Sequence, residues 1–158
     1  MVKSIKPTLS LNIQYGSQAL EEKWSEIFKT RTIRKCVMAA LQTPASITLR
    51  LVGTAEGRKL NREYRNKDYA TNILTFTYPR ILEGDDEEIL ADLVICLPVI
   101  AKEAKEQKKS IEDHFSHMLV HGLLHAQGFD HEDEIEAEGM ESLEISILSK
   151  LKIANPYL

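Results

Sequence analysis

The chain has 158 residues, a length that fits one domain. Hydrophobic residues make up 43% of it and charged residues 28%, which excludes a disordered, collagen-like or coiled-coil protein. Residues 1–80 carry 14 Lys and Arg against 6 Asp and Glu, and residues 81–158 carry 6 against 18, so the net charge of −4 divides into +8 and −12. The acidic total therefore does not exclude a polyanionic partner. The asymmetry also fits a fold whose opposite faces are solvated by opposite charges.

Cysteine content and apolar runs indicate the compartment. Cys36 and Cys96 are the only cysteines, and they form no Cys-x-x-Cys pair. The first residues lack the apolar stretch of a signal peptide, and the longest apolar run, 93–101, is too short to span a bilayer. We expect a cytoplasmic protein with reduced thiols and no membrane partner.

Alternating and helical spacings of apolar residues predict four strands and five helices. The strands are expected at residues 9–13, 47–52, 71–77 and 90–96. The helices are expected at residues 19–42, 54–65, 98–109, 110–128 and 134–152, with N-caps at Thr54 and Ser110. An acidic loop at 83–88 separates the third and fourth strands. We predict an α/β (α+β) fold, a single domain over residues 1–158 in which a four-stranded sheet packs with helices.

All five histidines lie between residues 114 and 131. His121 and His125 are four residues apart on a predicted helix, so their rings share one face. Gly128 can adopt the left-handed conformation that ends a helix, which would bring His131 to the same point. Three histidine ligands that leave a fourth position for water are typical of a catalytic zinc site. The alternative is a helix with solvated or buried histidines that bind no metal.

The H-x3-H-x2-G-x2-H spacing matches the signature of the metzincin proteases except at one position. Those enzymes carry Glu directly after the first histidine as general base, whereas that position here is Gly122. Because glycine cannot accept a proton, we expect the metal geometry without this mechanism of peptide hydrolysis.

The histidine segment resembles the signature of the YbeY family, bacterial metal-dependent endoribonucleases that act in ribosomal RNA maturation. Three further segments are similar to those of the family and follow in the same order. The matching segments are 60–76, 91–96, 117–131 and 140–144. Ala91 stands where the family has glycine, and Ala126-Gln127 replaces a more apolar pair behind the second predicted ligand.

The resemblance implies a single-strand-specific endoribonuclease with a zincin-like metal helix. It implies His121, His125 and His131 as ligands of one Zn²⁺ ion per chain, with other divalent transition metals as alternatives. Arg65 and His121 are the predicted catalytic residues, since a guanidinium can hold a phosphodiester and offset charge in the transition state. The expected nucleophile is metal-bound water of lowered pKa or the 2′-hydroxyl of the RNA, and the general base is unassigned.

Basic residues at helical spacing indicate how RNA would be held. Arg58, Arg62 and Arg65 are the predicted substrate-binding residues, and Tyr64 and Tyr69 offer faces on which unstacked bases could rest. A solvated basic helix with two packing tyrosines is the alternative. The resemblance implies single-stranded ribosomal RNA, the small ribosomal subunit and its assembly factors as partners, and we expect a monomer.

Four residues near the predicted site have competing interpretations. His114 and His117 are expected to be structural or to orient a ligand, because His114 is too far along the helix to reach the same ion. Asp130 could accept a hydrogen bond from a ligand ring or could be a turn residue. Without the family resemblance, Arg65 would more often be a surface partner of Asp68.

The resemblance implies 16S rRNA 3′-end processing and ribosome quality control as the function. Two alternatives remain open. One is another zinc hydrolase, such as a peptidase that takes its base from elsewhere in the fold. The other is a non-catalytic ribosome-associated factor whose metal stabilises the fold.

Overall fold

The computed structural model describes residues 8–78 and 88–158, which contain four strands and six helices. The strands are β1 (Leu9–Tyr15), β2 (Ala45–Val52), β3 (Ile73–Thr77) and β4 (Ile89–Cys96). The helices are α1 (Gln18–Trp24), α2 (Thr30–Ala40), α3 (Thr54–Arg65), α4 (Leu97–Glu106), α5 (Ile111–Ala126) and α6 (Glu134–Lys150). Apart from Glu88, the predicted acidic loop lies outside the described residues. In these two ranges no helix is both long enough and apolar enough to cross a membrane.

The four strands form one mixed sheet in the order β1-β2-β4-β3. β1, β2 and β4 run parallel, and β3 pairs antiparallel with β4 at the sheet edge. The predicted α/β fold with a four-stranded sheet is therefore confirmed. Its consequence for the site is that β3 has one unpaired edge among the described residues.

The main core lies on one face of the sheet, where every second residue of β2 and β4 is buried. α5 packs across this face against β3 and β4 and also contacts α2, α4 and α6. The fully buried residues of this layer include Ile47, Leu49, Leu51, Leu93, Ile95, Leu119, Leu123 and Leu124. The helix that carries the predicted metal ligands is thus the central helix of the core, and it packs against two strands and three other helices.

A smaller cluster lies on the opposite face, where α3 contacts β4. Its buried members are Val52, Leu74, Val94 and Cys96. Leu60 and Phe76 pack against this cluster and join α3 to β3. The C-terminal end of α3 is thereby held beside the edge strand.

Two predictions about the helices are wrong. The helix predicted over residues 19–42 is two helices, with a break between Trp24 and Thr30. The break places Phe28 between two rings of the core, 5.7 Å from Trp24 and 4.3 Å from Phe115 between centroids. Thr54 is the first residue of α3, and the extended residue that precedes it as N-cap is Gly53. The predicted cap at Ser110 is confirmed, since its Oγ accepts a hydrogen bond from the Asp113 N–H at 3.1 Å.

Candidate metal centre

α5 places the rings of His121 and His125 on one face. Their Nε2 atoms are 3.1 Å apart. Two nitrogens bound to one tetrahedral zinc ion would be separated by about 3.3 Å, given Zn–N distances of about 2.0–2.1 Å. The helix therefore presents two ring nitrogens at a separation that suits one ion.

The turn after α5 brings the third histidine to this pair. Gly128 has φ of 99°, the left-handed conformation expected at this position. One ring nitrogen from each of His121, His125 and His131 lies within 4.8 Å of the others, so this group could hold a metal ion. The first two are partly buried and His131 is exposed, so the group opens toward solvent on one side.

Gln127 fixes the turn between the second and third histidines. Its Nε2 donates to the carbonyl oxygens of Ala40 (2.9 Å) and Leu123 (3.0 Å), and its Oε1 accepts from the Gln42 N–H at 2.8 Å. The glutamine thus ties the end of α5 to the segment after α2. Ala126-Gln127 replaces a more apolar pair of the family that the sequence resembles, and these hydrogen bonds satisfy the polar side chain of Gln127.

A carboxylate from α6 orients His121. The Glu144 side chain is 1% exposed, and its Oε1 lies 2.5 Å from His121 Nδ1. When Nδ1–H donates to this oxygen, Nε2 keeps its lone pair for a metal ion, and such outer carboxylates commonly set the tautomer of metal-binding histidines. Burial by itself would raise the pKa of Glu144, but hydrogen bonds from His117, His121 and Tyr157 outweigh it and lower the pKa to about 2. The carboxylate is therefore ionised at neutral pH.

The surroundings of the second histidine favour its neutral form. Burial lowers the pKa of His125, and the neighbouring His121 and His131 lower it further. Since only a neutral imidazole can bind a metal ion, this shift favours coordination. The donor set of three imidazoles, one of them supported by a buried carboxylate, fits a divalent transition metal.

The other two histidines lie outside the three-histidine group. His114 Nε2 is 2.9 Å from Glu103 Oε1, and the His114 side chain is 2% exposed. His117 Nε2 is 3.2 Å from Glu144 Oε2, so His117 contacts the carboxylate that supports His121. Both positions agree with structural or orienting roles.

Asp130 has the geometry of a turn residue. Its Oδ1 accepts a hydrogen bond from the His131 backbone N–H at 2.7 Å, whereas His131 Nδ1 is 3.9 Å away, beyond hydrogen-bond distance. The expected alternative, a direct bond to a ligand ring, is not formed in this structure.

The three histidines line a cleft of about 730 Å³. Residues 71–77, including all of β3, line it together with Met118 of α5. Tyr64 and Arg65, at the end of α3, complete the lining. The structure thus brings Arg65 into the same cleft as the predicted metal ligands.

The close approach of α5 to β3 depends on Gly122. A Cβ atom at this position would lie 2.4 Å from Ile73 Cδ1 and 3.3 Å from Thr75 Oγ1. The residue that follows the first histidine is therefore packed against the strand. It does not face the cleft as a catalytic side chain would.

The other predicted substrate-binding residues do not line this cleft. Arg58 forms two hydrogen bonds to Asp68, at 2.9 and 3.0 Å, and Arg62 is 3.8 Å from the same carboxylate. These hydrogen bonds lower the pKa of Asp68. Among the described residues, the partners of Asp68 are thus Arg58 and Arg62, and not Arg65 as the alternative interpretation had it.

The two tyrosines of the basic segment differ in position. Tyr64 is 64% exposed and packs edge-on against Phe76, with ring centroids 5.1 Å apart. Tyr69 is also exposed but lies outside the cleft lining. Of the two, Tyr64 is the one placed beside the three histidines.

Two residues of the site have no role in the sequence-based predictions. Glu144 lies four residues after Met140 and three before Ile147, so it occupies an apolar position of a helix stripe. Because a glutamate is almost never fully buried unless it is paired, a carboxylate at such a position predicts a buried partner. Tyr157 lies after the last helix, in a segment without periodicity, and nothing in the sequence indicates its contact with Glu144.

Fold and site together define an α/β protein with a three-histidine group that could hold a metal ion. The sequence matches the family described as Endoribonuclease YbeY over residues 11–152. It is 51% identical to Endoribonuclease YbeY of Janthinobacterium sp. (strain Marseille) over 97% of both chains, and 48% identical to that of Paraburkholderia phymatum over 96% of this chain and 97% of the relative. A Thermotoga maritima protein of known solution structure is 21% identical, with a TM-score of 0.49 over 90% of this chain and 91% of its own. By the family match and the two close relatives, the chain belongs to the YbeY family.

Proposed function

We propose that the protein is a metal-dependent endoribonuclease that cleaves single-stranded RNA during ribosomal RNA maturation, at the 3′ end of 16S rRNA and in ribosome quality control. Relatives named Endoribonuclease YbeY, about half identical over nearly the whole chain, support this activity. The proposal extends to one functional domain over residues 1–158. It also includes action in the cytoplasm as a monomer. The proposed partners are the small ribosomal subunit, which contains the RNA substrate, and its assembly factors.

The proposed cofactor is one Zn²⁺ ion held by His121, His125 and His131. Imidazole ligands also suit copper, nickel and iron, so availability in the cell would decide among these metals. A divalent cation at this point would supply Lewis acidity at the phosphodiester, whether water or the 2′-hydroxyl attacks.

The observation that carries the proposal is that Arg65 and the three histidines line one cleft. A guanidinium is always charged and can donate two parallel hydrogen bonds to a phosphodiester. Arg65 would therefore hold the scissile phosphate and offset the negative charge that develops on it. His121 is held in place by Glu144 and keeps the cleft side of its ring for the cation.

The open edge of β3, which lines the cleft, is consistent with the proposed single-stranded substrate. The carbonyl of Asn72 accepts from the Cys96 N–H, and the N–H of Tyr78 donates to the Leu90 carbonyl, both at 3.0 Å. In an antiparallel pair the intervening residues turn their backbone groups the other way, so Thr75 and Thr77 present theirs to the open edge of β3. These groups and the Tyr64 ring offer hydrogen bonds and a stacking surface to bases that are not paired.

Arg58 and Arg62 are proposed as secondary contacts to the RNA backbone. They lie on the same helix as Arg65, outside the cleft, and share the carboxylate of Asp68. Both arginine side chains are about half exposed, so phosphates could reach them. Their contribution should depend on salt, because exposed charge pairs are screened.

A cleavage assay with matched variants tests the proposal. Metal-free protein is incubated with a single-stranded RNA from the 16S rRNA 3′ end, with a duplex of the same sequence and with casein, each with and without added Zn²⁺. We expect cleavage of the single strand only, restored by the metal. Arg65→Ala should lower kcat by about 10²-fold, the usual effect of removing one group that stabilises transition-state charge. Arg31→Ala, an exposed arginine of α2, serves as the control.

Three outcomes would contradict the proposal. Casein hydrolysis that a chelator abolishes, with the RNA intact, would identify a peptidase. An Arg65→Ala variant as active as Arg31→Ala would remove the arginine from the reaction. A His121→Ala variant that melts at a much lower temperature but still cleaves RNA would show that the metal stabilises the fold and takes no part in the chemistry.

A further inference from the structure

The C-terminal segment after α6 reaches the candidate metal centre through one side chain. The Tyr157 hydroxyl donates a hydrogen bond to Oε2 of Glu144. The other oxygen of that carboxylate, Oε1, lies 2.5 Å from His121 Nδ1. A chain of two hydrogen bonds therefore joins Tyr157 to the first histidine of the group.

Several contacts fix the position of Tyr157. The Ile153 N–H donates to the Leu148 carbonyl at 2.9 Å, which turns the chain back at the end of α6. Lys109 Nζ donates to the Pro156 carbonyl at 2.7 Å, and the Tyr157 N–H donates to Asn155 Oδ1 at 2.9 Å. The segment is thus anchored on both α6 and the turn before α5.

The ring of Tyr157 also contacts His117. Their centroids are 5.4 Å apart with nearly perpendicular planes, and the hydroxyl lies 3.3 Å from His117 Nε2. Three groups therefore surround the carboxylate of Glu144: His121 on one oxygen, and His117 and Tyr157 on the other. Of the three, Tyr157 is the one that does not come from α5.

A carboxylate that is 1% exposed requires hydrogen bonds to each oxygen, since burial removes its solvation. Without the Tyr157 hydroxyl, His117 would be the one remaining partner of Oε2 among the described residues, at 3.2 Å. The carboxylate could then rotate about its last torsion, which is a soft one. Any such rotation moves Oε1 relative to His121 Nδ1 and loosens the ring orientation.

We propose that Tyr157 is a positioning residue of the metal centre: its hydroxyl fixes the Glu144 carboxylate, which in turn fixes the His121 ring with Nε2 directed at the ion. The C-terminal segment thereby sets metal affinity. This inference rests on the three-histidine metal site of the proposed function.

The experiment compares metal affinity across single substitutions in the full-length chain. Metal-free proteins are titrated with Zn²⁺ against a coloured chelator, and the absorption spectrum of the Co²⁺-loaded protein is recorded as a probe of ligand geometry. The variants are Tyr157→Phe, Glu144→Gln and His121→Ala. The matched control is Tyr15→Phe, which removes a tyrosine hydroxyl from β1 at the opposite edge of the sheet.

Glu144→Gln should weaken Zn²⁺ binding by about 10- to 100-fold, the usual effect of removing a partner of a metal-binding histidine. Tyr157→Phe acts one hydrogen bond further out, so we expect a loss of about three- to tenfold and an altered Co²⁺ spectrum. Tyr15→Phe should match the parent protein in both measurements.

The possible results separate the two proposals. If Tyr157→Phe binds Zn²⁺ as tightly as Tyr15→Phe while Glu144→Gln and His121→Ala bind weakly, the role of Tyr157 is refuted and the metal site stands. A lower melting temperature of metal-free Tyr157→Phe, with unchanged affinity and Co²⁺ spectrum, also refutes it, because the contact would then be structural only. If His121→Ala keeps full affinity, the metal site itself is wrong and both proposals fall.

Discussion

Replacing Gly122 by alanine tests whether the helix of the metal site is packed as tightly against β3 as the structure indicates. The added Cβ would lie 2.4 Å from Ile73 Cδ1 and 3.3 Å from both Leu93 Cδ2 and Thr75 Oγ1. The first distance is shorter than any contact between non-bonded carbon atoms. All three contacts are to side-chain ends that belong to the sheet. The new methyl group must therefore displace Ile73 or move α5 away from the strand.

The chain contains a matched control for this change. Gly139 lies in α6, on an exposed face, and a Cβ added there meets nothing within 4 Å. Gly139→Ala should raise the free energy of unfolding by about 1 kcal/mol, the gain in helix propensity. Gly122→Ala gains the same propensity but loses about 1–3 kcal/mol through overpacking. The difference between the two variants should therefore be about 1–3 kcal/mol, whatever the value for either one.

Urea unfolding of the metal-free proteins measures this difference directly. Both variants and the parent chain should give the same m value, so that a shift in midpoint reports a change in stability and not in compactness. Because β3 also lines the cleft, Gly122→Ala should weaken Zn²⁺ binding, whereas Gly139→Ala should not. If the two alanine variants are equally stable, the tight packing of α5 on β3 is refuted.

Two further predictions follow from charge and burial. Asp68→Asn should tighten binding of single-stranded RNA by about two- to fivefold at low ionic strength, because it releases Arg58 and Arg62. The gain in affinity should vanish at high salt. Fluorescence anisotropy measures the affinity, and weaker binding of the variant at low salt would contradict the secondary contact. Burial raises the pKa of Cys36 to about 12 and also raises that of Cys96. Neither thiol should therefore react with an aromatic disulfide reagent at pH 8 until urea unfolds the protein, and rapid reaction of the native chain would show that the burial is wrong.

The spacing of apolar residues, with a period of two in strands and of about 3.6 in helices, predicted most of the sheet and the helices. β2 alternates between buried and partly buried residues over residues 45–51, and a period of two is visible in any strand with one buried face. α4 begins at Leu97, next to Pro98, where proline suits the first turn of a helix. Such signals are local, so the sequence carries them without knowledge of the fold.

The break between α1 and α2 shows where local signals end. Residues 25–29 contain neither proline nor glycine, and the apolar spacing continues across them. The helix stops there because Phe28 packs between Trp24 and Phe115, and Phe115 is 87 residues further along the chain. Tertiary packing of this kind overrides helix propensity and has no signature in the segment itself.

The candidate site likewise has residues that local signals predict and residues that depend on tertiary packing. His121, His125 and His131 lie within eleven residues, so helix periodicity and one left-handed glycine suffice to predict that they converge. Glu144 and Tyr157 reach them from other elements, and their positions depend on how α6 and the C-terminal segment pack on α5. The sequence could indicate a buried carboxylate at Glu144 but not its partner.

The position of Glu144 bears on the chemistry that this site can perform. In the protease signature the carboxylate follows the first histidine and faces the substrate as a base, whereas here Gly122 occupies that position and packs on β3. The carboxylate of Glu144 has both oxygens engaged, by His121 on one and by His117 and Tyr157 on the other. It is therefore placed to hold a ligand ring and not to accept a proton from water in the cleft. A site of this kind suits the proposed reaction, in which a cation and Arg65 would stabilise charge on a phosphodiester. Among the described residues, the cleft lining contains no carboxylate that could serve as the base of peptide hydrolysis by that mechanism.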